Sequence, residues 1–160
     1  MHFRTHPYRY RRNLPHIQRA DAPTFFTFAT LERRRLSPAA RRIVLDACLH
    51  WDAKKIEVYA AVVMPDHVHL ICDFFRDDAG DLIPFREVLG SIKGFSAYEI
   101  NRLNGAHGSI WQDESFDRVM RVDDDLRTKV EYVIANPVRW NLVSRPEEYP
   151  WLYVSPFCTA

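Results

Sequence analysis

Two apolar runs separated by a short breaker constrain this chain more than any other feature. Ile56 to Met64 and His67 to Phe74 are rich enough in β-branched residues to be strands, and Pro65-Asp66 interrupts them. With that break in their connection, the runs predict an antiparallel pair. The end of the first is continuously apolar, the pattern of a well-buried strand.

The flanking segments extend this pair into a domain. Thr24 to Thr30 (TFFTFAT) predicts a strand, and Ser37-Pro38 predicts an N-cap followed by proline at the first helical position. A helix from Pro38 to about Ala53 follows, with Ile43, Val44, Ala47 and Cys48 on its apolar face. Pro84 opens a second helix running to about Leu103, with Phe85, Val88, Leu89, Ile92, Phe95 and Ile100 at helical spacing and Asn104-Gly105 as its stop. Ser109 to Arg121 is strand-like, and Asp123-Asp124-Asp125 suits the positive end of a helix dipole. That last helix should turn Leu126, Val130, Val133 and Ile134 inward and end before Asn136-Pro137 or soon after. Strand, helix, strand, strand, helix, strand, helix is most simply an α+β, ferredoxin-like antiparallel sheet with the helices packed on one face.

A chain of 160 residues, 47% hydrophobic, is about one domain and can bury a core without a staple. We expect a single unit: a basic arm over 1–23, a core over 24–143 and a tail over 144–160. Cys48, Cys72 and Cys158 are odd in number and lack zinc-like spacing, so reduced thiols are expected. No apolar run approaches the ~20 residues of a membrane span, and the basic start leads into no signal-like segment. A soluble, cytoplasmic protein is the expectation. The net charge of +1 conceals an asymmetry: residues 1–60 hold twelve basic and five acidic side chains, a net of +7, leaving −6 for the rest. A phosphate-binding face on an acidic body has this pattern, and so does an ordinary solvated surface.

Chemistry enters through the histidines. Side chains at i and i+2 of a strand point the same way, so His67 and His69 project together and make half a metal site. Such a triplet is weak evidence alone. On the last helix, Tyr132 and Asn136 are four residues apart and share a face, which brings a phenol and an amide oxygen together. A phenol beside a divalent cation is equipped to attack a phosphodiester. Imidazole mixed with oxygen ligands suits Mg²⁺ or Mn²⁺ better than structural zinc.

The segments Arg11 to His16, VVMPDHVHLI (62–71), SIKGFSAYEINR (91–102), IWQDESFDRVMR (110–121), VEYVIANPVRWNLV (130–143) and PEEYPW (146–151) together resemble the REP-associated tyrosine transposases. These are single-tyrosine members of the HUH superfamily, in which two histidines flank a hydrophobic residue. The resemblance runs in order along nearly the whole chain. It implies the HUH single-tyrosine transposase fold, a divalent metal on His67, His69 and Asn136, and Tyr132 as the nucleophile of a 5′-phosphotyrosine intermediate. Implied too is a substrate of single-stranded, hairpin-forming palindromic repeats in a bacterial nucleoid. Arg4, Arg9, Arg11 and Arg12 would then read DNA, with Tyr8, Tyr10 and Trp111 for stacking, although Trp111 also suits a core. Asp66 departs from the Asn more usual in the family, and Glu114, Ser115 and Asp117 have no assigned role. Monomer and homodimer, with the tyrosine serving its own histidines or a partner's, both stay open. A DNA-binding regulator that does not cleave and a metal hydrolase using water are the competing readings.

Overall fold

The computed structural model describes residues 8–9, 22–119 and 126–159, without the side chains of 8, 9, 114 and 116–119. The strands are β1 (Tyr8–Arg9), β2 (Thr24–Thr30), β3 (Ile56–Val63), β4 (His67–Phe74), β5 (Trp111–Val119) and β6 (Leu152–Val154). The helices are α1 (Pro38–Leu49), α2 (Phe85–Asn104), α3 (Leu126–Arg139) and the single turn α4 (Pro156–Thr159). All six strands join one antiparallel sheet in the order β1-β5-β2-β4-β3-β6. The expected α+β sheet is therefore present, and β3 and β4 pair across Pro65-Asp66.

The helices, however, cover both faces rather than one. Val68, Leu70 and Cys72 of β4 join Phe26 and Phe28 of β2 beneath α1 and α2, where Val44, Leu45, Val88, Leu89, Ile92 and Ile100 complete the larger core. On the opposite face, Val62, Met64 and Ile71 meet Val130 and Val133 of α3, with Tyr149. A central strand covered on both sides needs apolar side chains at both parities, and the first six residues of β4 are all buried. Ile71 shares the parity of the histidines and supplies the apolar contact that anchors α3.

Boundaries moved where side chains intervened. Ser37 caps α1, its hydroxyl accepting from the Ala40 N–H at 3.1 Å. α1 ends at Leu49 rather than near Ala53, because the Trp51 carbonyl accepts from the N–H groups of Lys54, Lys55 and Ile56, and Ala53 turns left-handed at φ 59°. The Asp52 carboxylate then accepts from the Val58 N–H at 2.8 Å. Gly105, at φ 58°, closes α2. Phe95, expected on the apolar face of α2, is 54% exposed. Ser96 takes the inward position beside it, donating to the Ile92 carbonyl at 2.6 Å and accepting from the Trp111 indole at 3.0 Å.

Two further segments belong to the sheet. Within the expected arm, Tyr8 and Arg9 pair with Asp117 and Phe116 of β5. In the expected tail, Leu152 to Val154 pair with β3. The Tyr149 hydroxyl donates to the Val63 carbonyl at 2.7 Å, and the Val63 N–H donates to the Trp151 carbonyl at 2.9 Å, so PEEYPW braces β3 immediately before the histidine turn. Cys48, Cys72 and Cys158 are free thiols, as expected. No helix is long and apolar enough to cross a membrane among the described residues.

Phe28 is 1% exposed and meets the edge of Trp111 at 4.9 Å between centroids. Phe28→Ala should cost about 3–5 kcal/mol in urea unfolding, and Ser37→Ala only about 1 kcal/mol. Equal losses would show that the core beneath α1 and α2 is not the principal stabilising unit.

Candidate functional site

The pleat of β4 delivers His67 and His69 to the α3 face, both almost fully buried. Their rings meet edge to face with centroids 4.9 Å apart. The neighbouring strand sets the space above them: Ala29 lies opposite His67, Thr27 opposite His69 and Phe25 opposite Ile71. Side chains shrink along that series, so the sheet is filled near α3 and open near His67. An open cleft of about 430 Å³ results, bounded by Thr27, Arg33, both histidines, Tyr132, Asn136 and Trp140.

Each imidazole is anchored through Nδ1. His67 Nδ1 lies 2.6 Å from Asp66 Oδ1, and since a carboxylate only accepts, Nδ1 carries the proton of this contact and Nε2 takes no part in it. His69 Nδ1 lies 2.8 Å from the Thr27 hydroxyl. When that nitrogen donates, Nε2 of the uncharged ring is left as a Lewis base. Burial, and secondarily the neighbouring His67, pushes the His69 pKa down to about 3, so at neutral pH the ring is uncharged, the form that binds metals. The sequence left Asp66 without a role; the structure makes it the residue that orients His67, with Arg33 Nη1 3.7 Å from its other oxygen.

α3 supplies the opposite wall. Tyr132 is 41% exposed, its ring 5.8 Å from that of His69 and 6.2 Å from that of Phe25, and the Arg139 guanidinium lies 5.1 Å from its centroid. Asn136 is 2% exposed, and its amide N–H reaches the Tyr132 carbonyl at 3.5 Å, leaving Oδ1 as an acceptor. The four residues picked out by spacing thus converge within a single chain. Among the described residues no three His, Cys, Asp or Glu side chains gather into a metal cluster, and the oxygen that stands beside the two histidines is the amide Oδ1 of Asn136. Two imidazoles and an amide oxygen fit a divalent cation in chemical kind.

Spacing alone missed Thr27, Arg33, Arg139 and Trp140. α3 runs through Pro137 and ends at Arg139, soon after Asn136-Pro137, and this carries Trp140 onto the face of Tyr132 and Asn136. Arg33 follows Glu32 in the left-handed region, at φ 56° and 55°. Consecutive non-glycine residues there cost about 1–3 kcal/mol each and persist only where neighbours over-determine them. Here the Leu31 N–H donates to Ile110 O, the Leu36 N–H to Pro65 O and the Thr30 N–H to Asp66 O.

Other expectations resolve differently. Trp111 is core, 5% exposed, and not a stacking surface. Ser115 is buried and lies 3.1 Å from Lys93 Nζ, which also donates to the Gln112 carbonyl. The side chains of Glu114 and Asp117 lie outside the described residues. So do Arg4, Arg11, Arg12 and Tyr10, the side chains of Tyr8 and Arg9, and the acidic start Asp123 to Asp125.

No family model matches the chain. A curated protein of Haemophilus influenzae, provisionally named a REP-associated tyrosine transposase, is 25% identical over 109 residues. That match covers 65% of this chain and only 60% of the relative's length. A REP-associated tyrosine transposase solved bound to a REP hairpin superimposes with a TM-score of 0.63 and 23% identity, over 87% of this chain and 82% of that one, which establishes a shared fold. A provisionally named transposase of Deinococcus radiodurans, at TM-score 0.47 and 19% identity over 71% of this chain and 88% of its own, aligns too loosely to place residues. The name carried by the first two is that of the family the sequence resembles.

The low pKa of His69 has a sign. In the unfolded chain the ring takes a proton near pH 6.5, and in the folded chain only near 3, so its contribution to stability is present above 6.5 and lost as pH falls. For the metal-free protein, urea unfolding at pH 5 should show about 2 kcal/mol less stability than at about pH 8 from this group. His69→Gln should lack that component; an unchanged pH slope would mean that burial does not hold the ring neutral.

Proposed function

We propose that this chain is a REP-associated tyrosine transposase of the HUH type, which cleaves and rejoins single-stranded, hairpin-forming repeat DNA through Tyr132. The observation that carries this reading is the convergence of one exposed phenol with two anchored imidazoles and a buried amide in a cleft open to solvent. A regulator that only binds DNA has no use for such a set. The name shared by two matched proteins, and the REP hairpin to which one of them was solved bound, support the substrate class.

In this reading His67, His69 and Asn136 hold Mg²⁺ or Mn²⁺. When bound, the cation polarises the scissile phosphate and offsets the charge that develops on its oxygens. The chain's own residues do the rest. Asp66 and Thr27 fix the two rings, so that little reorganisation is needed as substrate enters. The Tyr132 oxygen attacks phosphorus, its proton passes to water, and the P–O3′ bond breaks to give a 5′-phosphotyrosine and a 3′-oxygen that takes up a proton. Attack by a 3′-hydroxyl on the phosphotyrosine reverses these bonds and rejoins DNA without a nucleotide cofactor. Arg33 and Arg139 place positive charge at the cleft for flanking phosphates. The basic side chains Arg4, Arg9, Arg11 and Arg12 would read the hairpin.

Incubating the protein with a hairpin oligonucleotide and Mn²⁺ should yield a covalent protein–DNA adduct on a denaturing gel, absent in Tyr132→Phe. An undiminished adduct in that variant, or cleavage without any adduct in the wild type, would overturn the assignment. Asp66→Ala should raise the Mn²⁺ concentration needed for half-maximal cleavage by about 10- to 100-fold, whereas an unchanged requirement would remove Asp66 from the support of His67.

A further inference from the structure

The cleft holds one aromatic residue that the chemistry above does not use. Trp140 lies one turn beyond Asn136 and two beyond Tyr132 along the same line of the helix, and its ring sits 5.7 Å from that of His67, tilted by 56°. It nevertheless remains 60% exposed. Trp111, by contrast, is buried, and its indole N–H donates to Ser96. An indole held against a buried ring at the rim of a polar cleft presents a flat apolar surface to whatever enters. Arg33, its side chain 58% exposed, lines the same cleft. The left-handed Glu32-Arg33 pair places that cation there.

We propose that Trp140 is a base-stacking platform, a positioning residue that holds an unpaired nucleobase of the DNA strand beside His67 while Arg33 faces a neighbouring phosphate. The inference rests on the DNA-strand reading of the cleft but not on the cleavage chemistry. A stacked base prefers single strands, since a base paired in a duplex has no free face, and it tolerates sequence because every base has a π-face. Its place near His67 rather than Tyr132 puts the gripped nucleotide on the histidine side of the scissile bond.

Two fluorescent probes test this: a single-stranded oligothymidine of about 15 nucleotides, and a strand of equal length whose sugars carry no bases. Both are titrated by anisotropy in a Tyr132→Phe background, where no covalent product forms. Trp140→Ala should weaken oligothymidine binding on the order of 5- to 150-fold and leave the abasic strand unchanged within about twofold. Trp140→Phe should retain most of the affinity. A purely structural part in holding His67 would weaken both strands alike. Equal loss on both strands, or none on oligothymidine, would overturn the proposal. Adduct formation by the wild type judges the transposase reading separately, so failure of one is distinguishable from failure of the other.

Discussion

Two-sided burial of β4 is the constraint on which the rest of the molecule depends. As the fourth strand of six, flanked by β2 and β3, it has no free edge, and its pleat assigns each residue to one of two cores. Val68, Leu70 and Cys72 commit one parity to the α1–α2 layer. The other parity begins with two histidines and continues with Ile71, which packs in the α3 cluster. A one-residue slip would turn both imidazoles into the larger core and move Val68, Leu70 and Cys72 to the α3 face, so packing enforces the register of the site.

That arrangement lets a polar site exist beside a hydrophobic one. Burial keeps His69 uncharged, and Nδ1 contacts to Asp66 and Thr27 hold both rings without consuming Nε2. Both supporting groups come from the same local framework: Asp66 from the β3–β4 turn and Thr27 from the residue directly opposite His69. The turn is itself held from outside, by Tyr149 and Trp151 on Val63 and by the Leu36 N–H on the Pro65 carbonyl. Segments distant in sequence thus act on the site through the backbone of one turn.

α3 shows how a locally unfavourable residue is overridden. Proline at position 137 lacks an N–H and disfavours a helical Asn136, yet the helix proceeds to Arg139 and places Trp140 at the cleft. Pro137 is buried, and the Trp140 N–H donates to the Asn136 carbonyl at 3.0 Å and the Leu142 N–H to the Pro137 carbonyl at 2.9 Å. These local bonds close the helix just after the proline.

Read alone, the sequence determined the strands from Thr24 and His67, the α1 cap at Ser37, the αL stop at Gly105, and the pairing of Tyr132 with Asn136. Each depends on a periodicity or cap chemistry spanning a few residues, which the chain carries locally. Only the tertiary structure decided that helices cover both faces, because Ile71 and Val62 look like any buried strand residues until a partner layer is known. It also decided that Asp66 supports His67, that Trp111 is core while Trp140 is exposed, and that Arg33 reaches the cleft. Those outcomes depend on contacts between segments tens of residues apart, and on a left-handed turn that no glycine announces. The histidine triplet was legible as a strand pair; its conversion into a cleft required the side chains opposite it to shrink from Phe25 to Ala29, a property of strand register.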